Sequence, residues 1–303
     1  MVRLIFSILL FILSPVALML PAGCGKSGGN ADDAVARVES SDSLPQGVKS
    51  FVRVVAENDT AGFANLVSYP LPRPYPLHDI ETPEQMKSYY DVLVDDSLRN
   101  AVKNAGPDKW EEFGWRGWTM SGGDYVWIDD SVYDVAYISG RERVMRDSLA
   151  SLEMESVDRE MRPGWRPEVC LVRADSSAVY RIDVHKEESG RNIYRMAIYR
   201  TERRNDSVDA DSRRLGGRPD HTLKGYKEVE GTAGTPVYFF TGKEGSKALY
   251  QAEMPDGGMS RIEFTLPDGS VEEVEVSRAY WLDLVPRLAR EHILRPHSHR
   301  DRH

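Results

Sequence analysis

Between residues 165 and 276 the sequence is a succession of short runs in which apolar and polar residues alternate, separated by reverse-turn residues. A period of two places successive side chains on opposite faces of an extended strand, and so excludes a helical reading for most of this half. Residues 179–185 alternate strictly, with Tyr180, Ile182 and Val184 on one face and Arg181, Asp183 and His185 on the other. A turn at Glu188-Ser189-Gly190 leads to a second alternating run at 194–200. Further strands are predicted at 236–241, 248–254, 259–266 and 271–276, with turns at Pro255-Asp256-Gly257 and Pro267-Asp268-Gly269. This spacing predicts an antiparallel β domain over 165–286, either a small barrel or a curled sheet. Trp281, Leu282, Leu284 and Val285 are expected to form a last helix or strand packed on it. The polar segment 203–219 reads as a long loop, and 287–303 as a basic, His-containing tail.

The front half has the helical period instead. Val48, Phe51, Val52 and Val55 stand at i, i+3, i+4 and i+7, and Asn58-Asp59-Thr60 breaks the chain before a shorter helix carrying Phe63, Leu66 and Val67. Four prolines between Tyr69 and Pro76 force a non-helical segment. Thr82, Pro83 and Gln85 read as a capping box opening a helix that buries Met86, Tyr89, Tyr90 and Leu93. A further helix with Leu98, Ala101, Val102 and Ala105 stops at Gly106-Pro107. Glycines, β-branched residues and aromatics then predict strands at 117–121, 125–129 and 131–139. Residues 141–164 read as a charged connecting helix and linker, with Val144, Leu149, Leu152 and Met154 as its apolar contribution.

The helices, the VSYPL segment at 67–71, the YYDVLVDDSLRNAVKNA pair at 89–105 and the GW…SGGDYVWIDD…VAYI sheet resemble the NTF2-like (cystatin-like) fold. The resemblance covers 48–140, and it implies an α+β domain over 47–140 with helices on a curved antiparallel sheet. Its motifs are packing residues, which bear on fold rather than on function.

The N-terminus states an address. Met1-Val2-Arg3 precedes an apolar run at 4–20, then Pro21-Ala22-Gly23 and Cys24. Ser14-Pro15 interrupts the run and the chain turns polar at Gly25, which weighs against a spanning helix. Residues 20–24 resemble the bacterial lipobox, with Pro21 where that motif prefers leucine. The resemblance implies a signal peptide over 1–23, lipid on Cys24, and a flexible Gly/Ser/Asp-rich tether over 24–46. The expected location is the cell envelope, on the outer rather than the inner membrane, with the membrane engaged through that lipid. Only Cys24 and Cys170 are present, so a disulfide framework and a cysteine zinc site are excluded, and Cys170 reads as a small buried hydrophobe. A net charge of -9 and a pI near 5.4 argue against nucleic acid, which demands a basic stripe. Asp followed by Ser or Thr and an apolar residue recurs at Asp42, Asp59, Asp96, Asp130, Asp147 and Asp206, similar to the O-glycosylation sequon of exported proteins in the Bacteroides group.

Catalytic signatures are thin. Gly25-Lys26-Ser27 lacks the upstream glycine of a phosphate loop, and Ser121 lacks the first glycine of a nucleophile elbow. Asp183 and His185 at i, i+2 form a candidate metal or acid/base pair, weighed against a solvated strand face. The tail histidines His292, His297, His299 and His303 read as adventitious metal binders, so no metal and no cofactor is expected. The candidate ligand set is Trp115, Trp118, Tyr125 and Trp127, whose rings suit a sugar or another flat ligand if they line a cavity, joined by His78 and Asp124. The expectation is therefore a non-enzymatic envelope lipoprotein that binds a ligand, a glycan or an envelope protein. The alternatives are a hydrolase or isomerase using His78, Asp79 or Asp124 in an NTF2-like cavity, and an envelope inhibitor or assembly factor.

Overall fold

The computed structural model describes Ala36, Val38 and residues 43–200, 217–230, 235–251 and 260–284. The signal segment, Cys24, nearly all of the tether, the greater part of the loop at 203–219, the Pro255-Asp256-Gly257 turn and the histidine tail lie outside the described residues. Among the described residues no helix is long and apolar enough to cross a membrane.

The helical stripe at the front becomes α1 (Gln46–Ala56), which buries Val48, Phe51, Val52 and Val55. Asp59 caps α2 (Thr60–Leu66), its carboxylate accepting the Gly62 amide at 2.9 Å. In α3 (Pro83–Leu93) the Thr82 hydroxyl accepts the Gln85 amide at 3.2 Å, while Gln85 reaches back one residue further than a capping box does, to the Glu81 amide. Asp95 caps α4 (Asp96–Asn104). These helices pack on an antiparallel sheet in the order β1 (Trp110–Glu112), β2 (Trp118–Met120), β3 (Trp127–Ile128), β4 (Val132–Asp134). The strands are much shorter than predicted. Gly117, Gly122 and Gly123 take positive φ, and the register shifts at Trp127/Ile128, so turns consume what the pattern assigned to strands. One core runs through this half, with Phe51, Phe63, Tyr90 and Trp110 in edge and tilted ring contacts.

The connecting helix, α5 (Gly140–Ser156), corrects the sequence reading. Its buried side carries Glu142, Ala150, Glu153 and Met154, whereas Val144 is 67% exposed. Glu142 and Glu153 lie eleven residues apart, about three turns, and so share a face. Each carboxylate takes a buried arginine. Glu142 accepts Arg73 Nε at 2.8 Å and Nη2 at 2.9 Å, and Glu153 lies 3.4 Å from Arg181 Nη1. Arg73 belongs to the proline-rich segment and Arg181 to the β half, so this face of α5 is bolted to both.

The β half is a closed eight-stranded barrel rather than a curled sheet. Its strands are β5 (Trp165–Arg173), β6 (Ala178–Lys186), β7 (Asn192–Arg200), β8 (His221–Glu230), β9 (Thr235–Thr241), β10 (Lys247–Gln251), β11 (Ser260–Thr265) and β12 (Val271–Arg278). Each pairs antiparallel with the next, and β12 closes on β5 through Val276↔Arg173 to Arg278↔Leu171. Gly225 sits where β8 and β9 press together, its missing Cβ leaving room for the Phe239 carbonyl. The short helix α6 (Trp281–Leu284) follows and buries Trp281 against Tyr199 of the barrel wall.

Candidate ligand site at the barrel mouth

Alternation decides what fills the barrel. On β6, Tyr180 and Ile182 point inward and join Met196, Tyr238, Phe240, Tyr250 and Ile262 in the interior cluster. Eight strands enclose room enough for side chains or for one small ligand. The two ends differ. At one end β5 bulges between Pro167 and Val169, and the extra residue, Glu168, turns inward. Its carboxylate accepts Lys227 Nζ at 2.7 Å and the Tyr238 hydroxyl at 3.2 Å, and the Lys227 ammonium lies over the Tyr194 and Tyr238 rings. Burial works to lower the Lys227 pKa, but the Glu168 contact outweighs it and the ammonium is held above its usual range. That ion pair lies across the barrel near its base, each side chain 28% exposed.

The opposite end is hollow among the described residues. A cavity of about 780 Å³ lies there, with Tyr180, Ile198, Leu223, Phe264 and Val274 as its apolar floor. Its rim comes from the turns joining β5 to β6, β9 to β10 and β11 to β12, together with the start of β8. Those turns are tightly held. The Gly242 amide donates to Ser246 O at 2.8 Å, Leu266 N to Ser270 O at 2.8 Å, and Arg200 N to the Asp220 carboxylate at 2.7 Å. Asp175 and Asp268, near the rim, are spent inside their own turns: hydrogen bonds from Ser177 and Ser270 hold both carboxyls below their ordinary range.

Five cations line the mouth, Arg173, Arg200, Arg218, Lys243 and Lys247, against the three carboxylates Asp220, Glu244 and Glu272. Arg173 is paired with Glu272 at 3.6 Å, and Arg218 with Glu160 at 3.6 Å. The side chains of Arg200, Lys243 and Lys247 have no carboxylate partner among the described residues. In a chain of net charge -9, this is a local reversal of sign.

The candidates read from the sequence lie elsewhere and do not converge. Trp115 stands 78% exposed on a turn between Gly114 and Gly117, with the Arg116 guanidinium 5.6 Å from its ring and 5.3 Å from that of Trp127. Phe113 meets Trp127 edge-on. Trp118 and Tyr125 instead pack against the front core, where Tyr125 stacks on Tyr137. His78 stacks on Tyr280 with ring centroids 3.8 Å apart and lies 3.6 Å from Asp283. Asp124 is exposed. His78, Asp79 and Asp124 do not line the mouth.

Asp183 and His185 separate as well. Asp183 is buried between Arg181 Nε at 2.7 Å and Arg195 Nη2 at 2.7 Å, while His185 Nδ1 contacts Gly164 O at 2.7 Å. The expectation of a solvated face fails at Arg181 and Asp183 because α5 and Trp281 cover that part of the barrel wall. Cys170 is buried as expected, and burial pushes its thiol well above the ordinary range.

The mouth itself escaped the sequence reading because its residues come from turns scattered over a hundred positions. Pro167 inside an alternating run is a local signal of a bulge, but it marks the base of the barrel and not the mouth. In comparison with known proteins, the chain matches no family model, no curated protein and no solved structure.

Proposed function

We propose that this is an exported, lipid-anchored envelope protein that binds a small ligand at the barrel mouth without transforming it. The observation that carries this reading is a cavity of about 780 Å³ with an apolar floor, and with an ion pair across the far end of the barrel, a size that suits a small molecule. Anchoring rests on the leader and Cys24, and an NTF2-like descent for the front unit is supported by the order of its helices and antiparallel sheet. Native mass spectrometry of protein purified from its own envelope tests the binding. A retained small molecule is expected, lost in a Ser177→Trp/Thr222→Trp variant that puts two indoles in the mouth. Identical retention by that variant, or none by the natural protein, rejects the reading. Labelled palmitate tests the anchor: incorporation is expected in the natural chain and not in Cys24→Ala.

A second reading is favoured by the exposure of Trp115. The Trp115, Arg116, Trp127 and Phe113 group forms a ring-bearing tip suited to a sugar face. Glycan-array binding that disappears in Trp115→Ala would support it.

A further inference from the structure

The charge and polarity of the mouth narrow what it takes. We propose that the ligand is an anionic amphiphile: a carboxylate or phosphate head held by Arg200, Lys243 and Lys247, and a short acyl or aryl tail laid on the apolar floor. This rests on the mouth being the binding site, and adds the class of ligand.

Three observations lead to it. Among the described residues the rim has more cations than carboxylates although the whole chain is acidic, so the surplus is local. Of the three carboxylates, Glu272 faces Arg173, and Asp220 accepts the Arg200 amide, which orders its charge without cancelling it, so Asp220 and Glu244 stand against three cations. These cations line the same mouth as the carbon surface of Ile198, Leu223 and Phe264. A purely polar anion would leave that surface wet, and a neutral lipid would leave the cations without a counter-charge. A molecule with one anionic end and one apolar end satisfies both.

The geometry also limits the tail. Below the floor the interior is filled by Tyr238, Phe240 and Tyr250, with Tyr238 and Phe240 stacked at 6.4 Å and Tyr238 and Tyr250 at 5.7 Å. The Glu168–Lys227 pair then spans the interior toward the base. A long chain has nowhere to run, so the tail stops within the mouth or folds there. Carboxylate and phosphate heads share the recognising chemistry, since both accept charge-assisted hydrogen bonds from guanidinium and ammonium groups.

Calorimetric titration of the chain from Gly25, which keeps every described residue, tests the class. The probes are laurate, dodecyl phosphate, dodecanol and dodecyltrimethylammonium, each below its micelle concentration. Laurate and dodecyl phosphate are expected to bind at least tenfold more tightly than the neutral and cationic probes, and their relative affinities separate the two head groups. An Arg200→Gln/Lys243→Gln/Lys247→Gln variant should lose at least tenfold for the anions. A Lys49→Gln/Lys87→Gln/Lys186→Gln variant, matched in charge and away from the mouth, should lose nothing beyond twofold. Added salt should erode the preference. Equal binding of dodecanol and laurate, an unaffected mouth variant, or no binding of either anion overturns the anionic class. Anion binding that persists unchanged in Ser177→Trp/Thr222→Trp overturns the mouth as the site.

Discussion

Glu153 shows what burial does to one group. Burial raises its carboxyl to about 7, against the opposing pull of the Arg181 guanidinium and the Tyr75 hydroxyl, while Asp183 and Asp283 push in the same direction as burial. The folded chain therefore holds a proton that the unfolded chain releases near the ordinary value of 4.5. Stability from this group is complete below that value and is lost as pH rises through 7. The urea midpoint is expected to fall between about pH 5 and 7.5, and Glu153→Gln to flatten that part of the profile. The tryptophans make a second contrast. Trp281 is fully buried, donates from Nε1 to Ser156 Oγ at 2.6 Å, and lies 4.8 Å below the Arg181 guanidinium. Trp281→Ala should cost about 3–5 kcal/mol in denaturant unfolding, and Trp115→Ala no more than about 0.5 kcal/mol. The alternation of β6 placed Arg181 and Asp183 on one face, and that is what the structure shows. It did not reveal that a helix from elsewhere covers the face, since cover is a tertiary fact with no local signature.

Elements differ in how openly the sequence states them. The helical stripe of α1 and the Thr82-Pro83 start of α3 were legible, because caps and apolar periods are local. The strands of the front sheet were not, because turn-forming glycines stand inside runs rich in aromatic residues. In α5 the cause is different: Met154 is buried as its hydrophobicity predicts, but it shares the buried side with Ala150 and two carboxylates, while Val144 faces out. Glu142 accepts Arg73 twice, the Ser139 amide at 3.0 Å and the Tyr89 hydroxyl at 3.2 Å. Arg73→Met strands this buried carboxylate and should cost about 3–5 kcal/mol, whereas Arg73→Met with Glu142→Leu should recover a large share of that loss. A double-mutant cycle measures the difference. In β8, Gly225→Ala drives a methyl group into the Phe239 carbonyl of β9, and either the strand pair spreads or the barrel fails to close. Reduced amide protection along β8 and β9 is the expected readout.

At the scale of the molecule, the two halves meet over an extensive contact. Arg278, at the end of β12, lies 3.2 Å from the Asp79 carboxylate and donates to Arg73 O at 2.6 Å. The Tyr280 hydroxyl accepts the Asp79 amide at 2.8 Å, and its ring stacks on His78 and Tyr75. Thermal unfolding is therefore expected as one transition, and Arg278→Ala/Tyr280→Ala should split it in two or broaden it. None of this could be read ahead, because the proline-rich segment and the end of β12 lie some two hundred residues apart. Barrel closure was equally hidden, since β5 and β12 join through only three residue pairs at opposite ends of their domain. That closure has a consequence for neighbours. A sheet with free borders invites another chain to annex it through backbone hydrogen bonds, and a crowded surface multiplies such accidents. Here every barrel strand has a neighbour on both sides, whereas the front sheet ends at β1 and β4, so the barrel wall offers a visiting chain no border to annex and any such stitching falls to the front sheet.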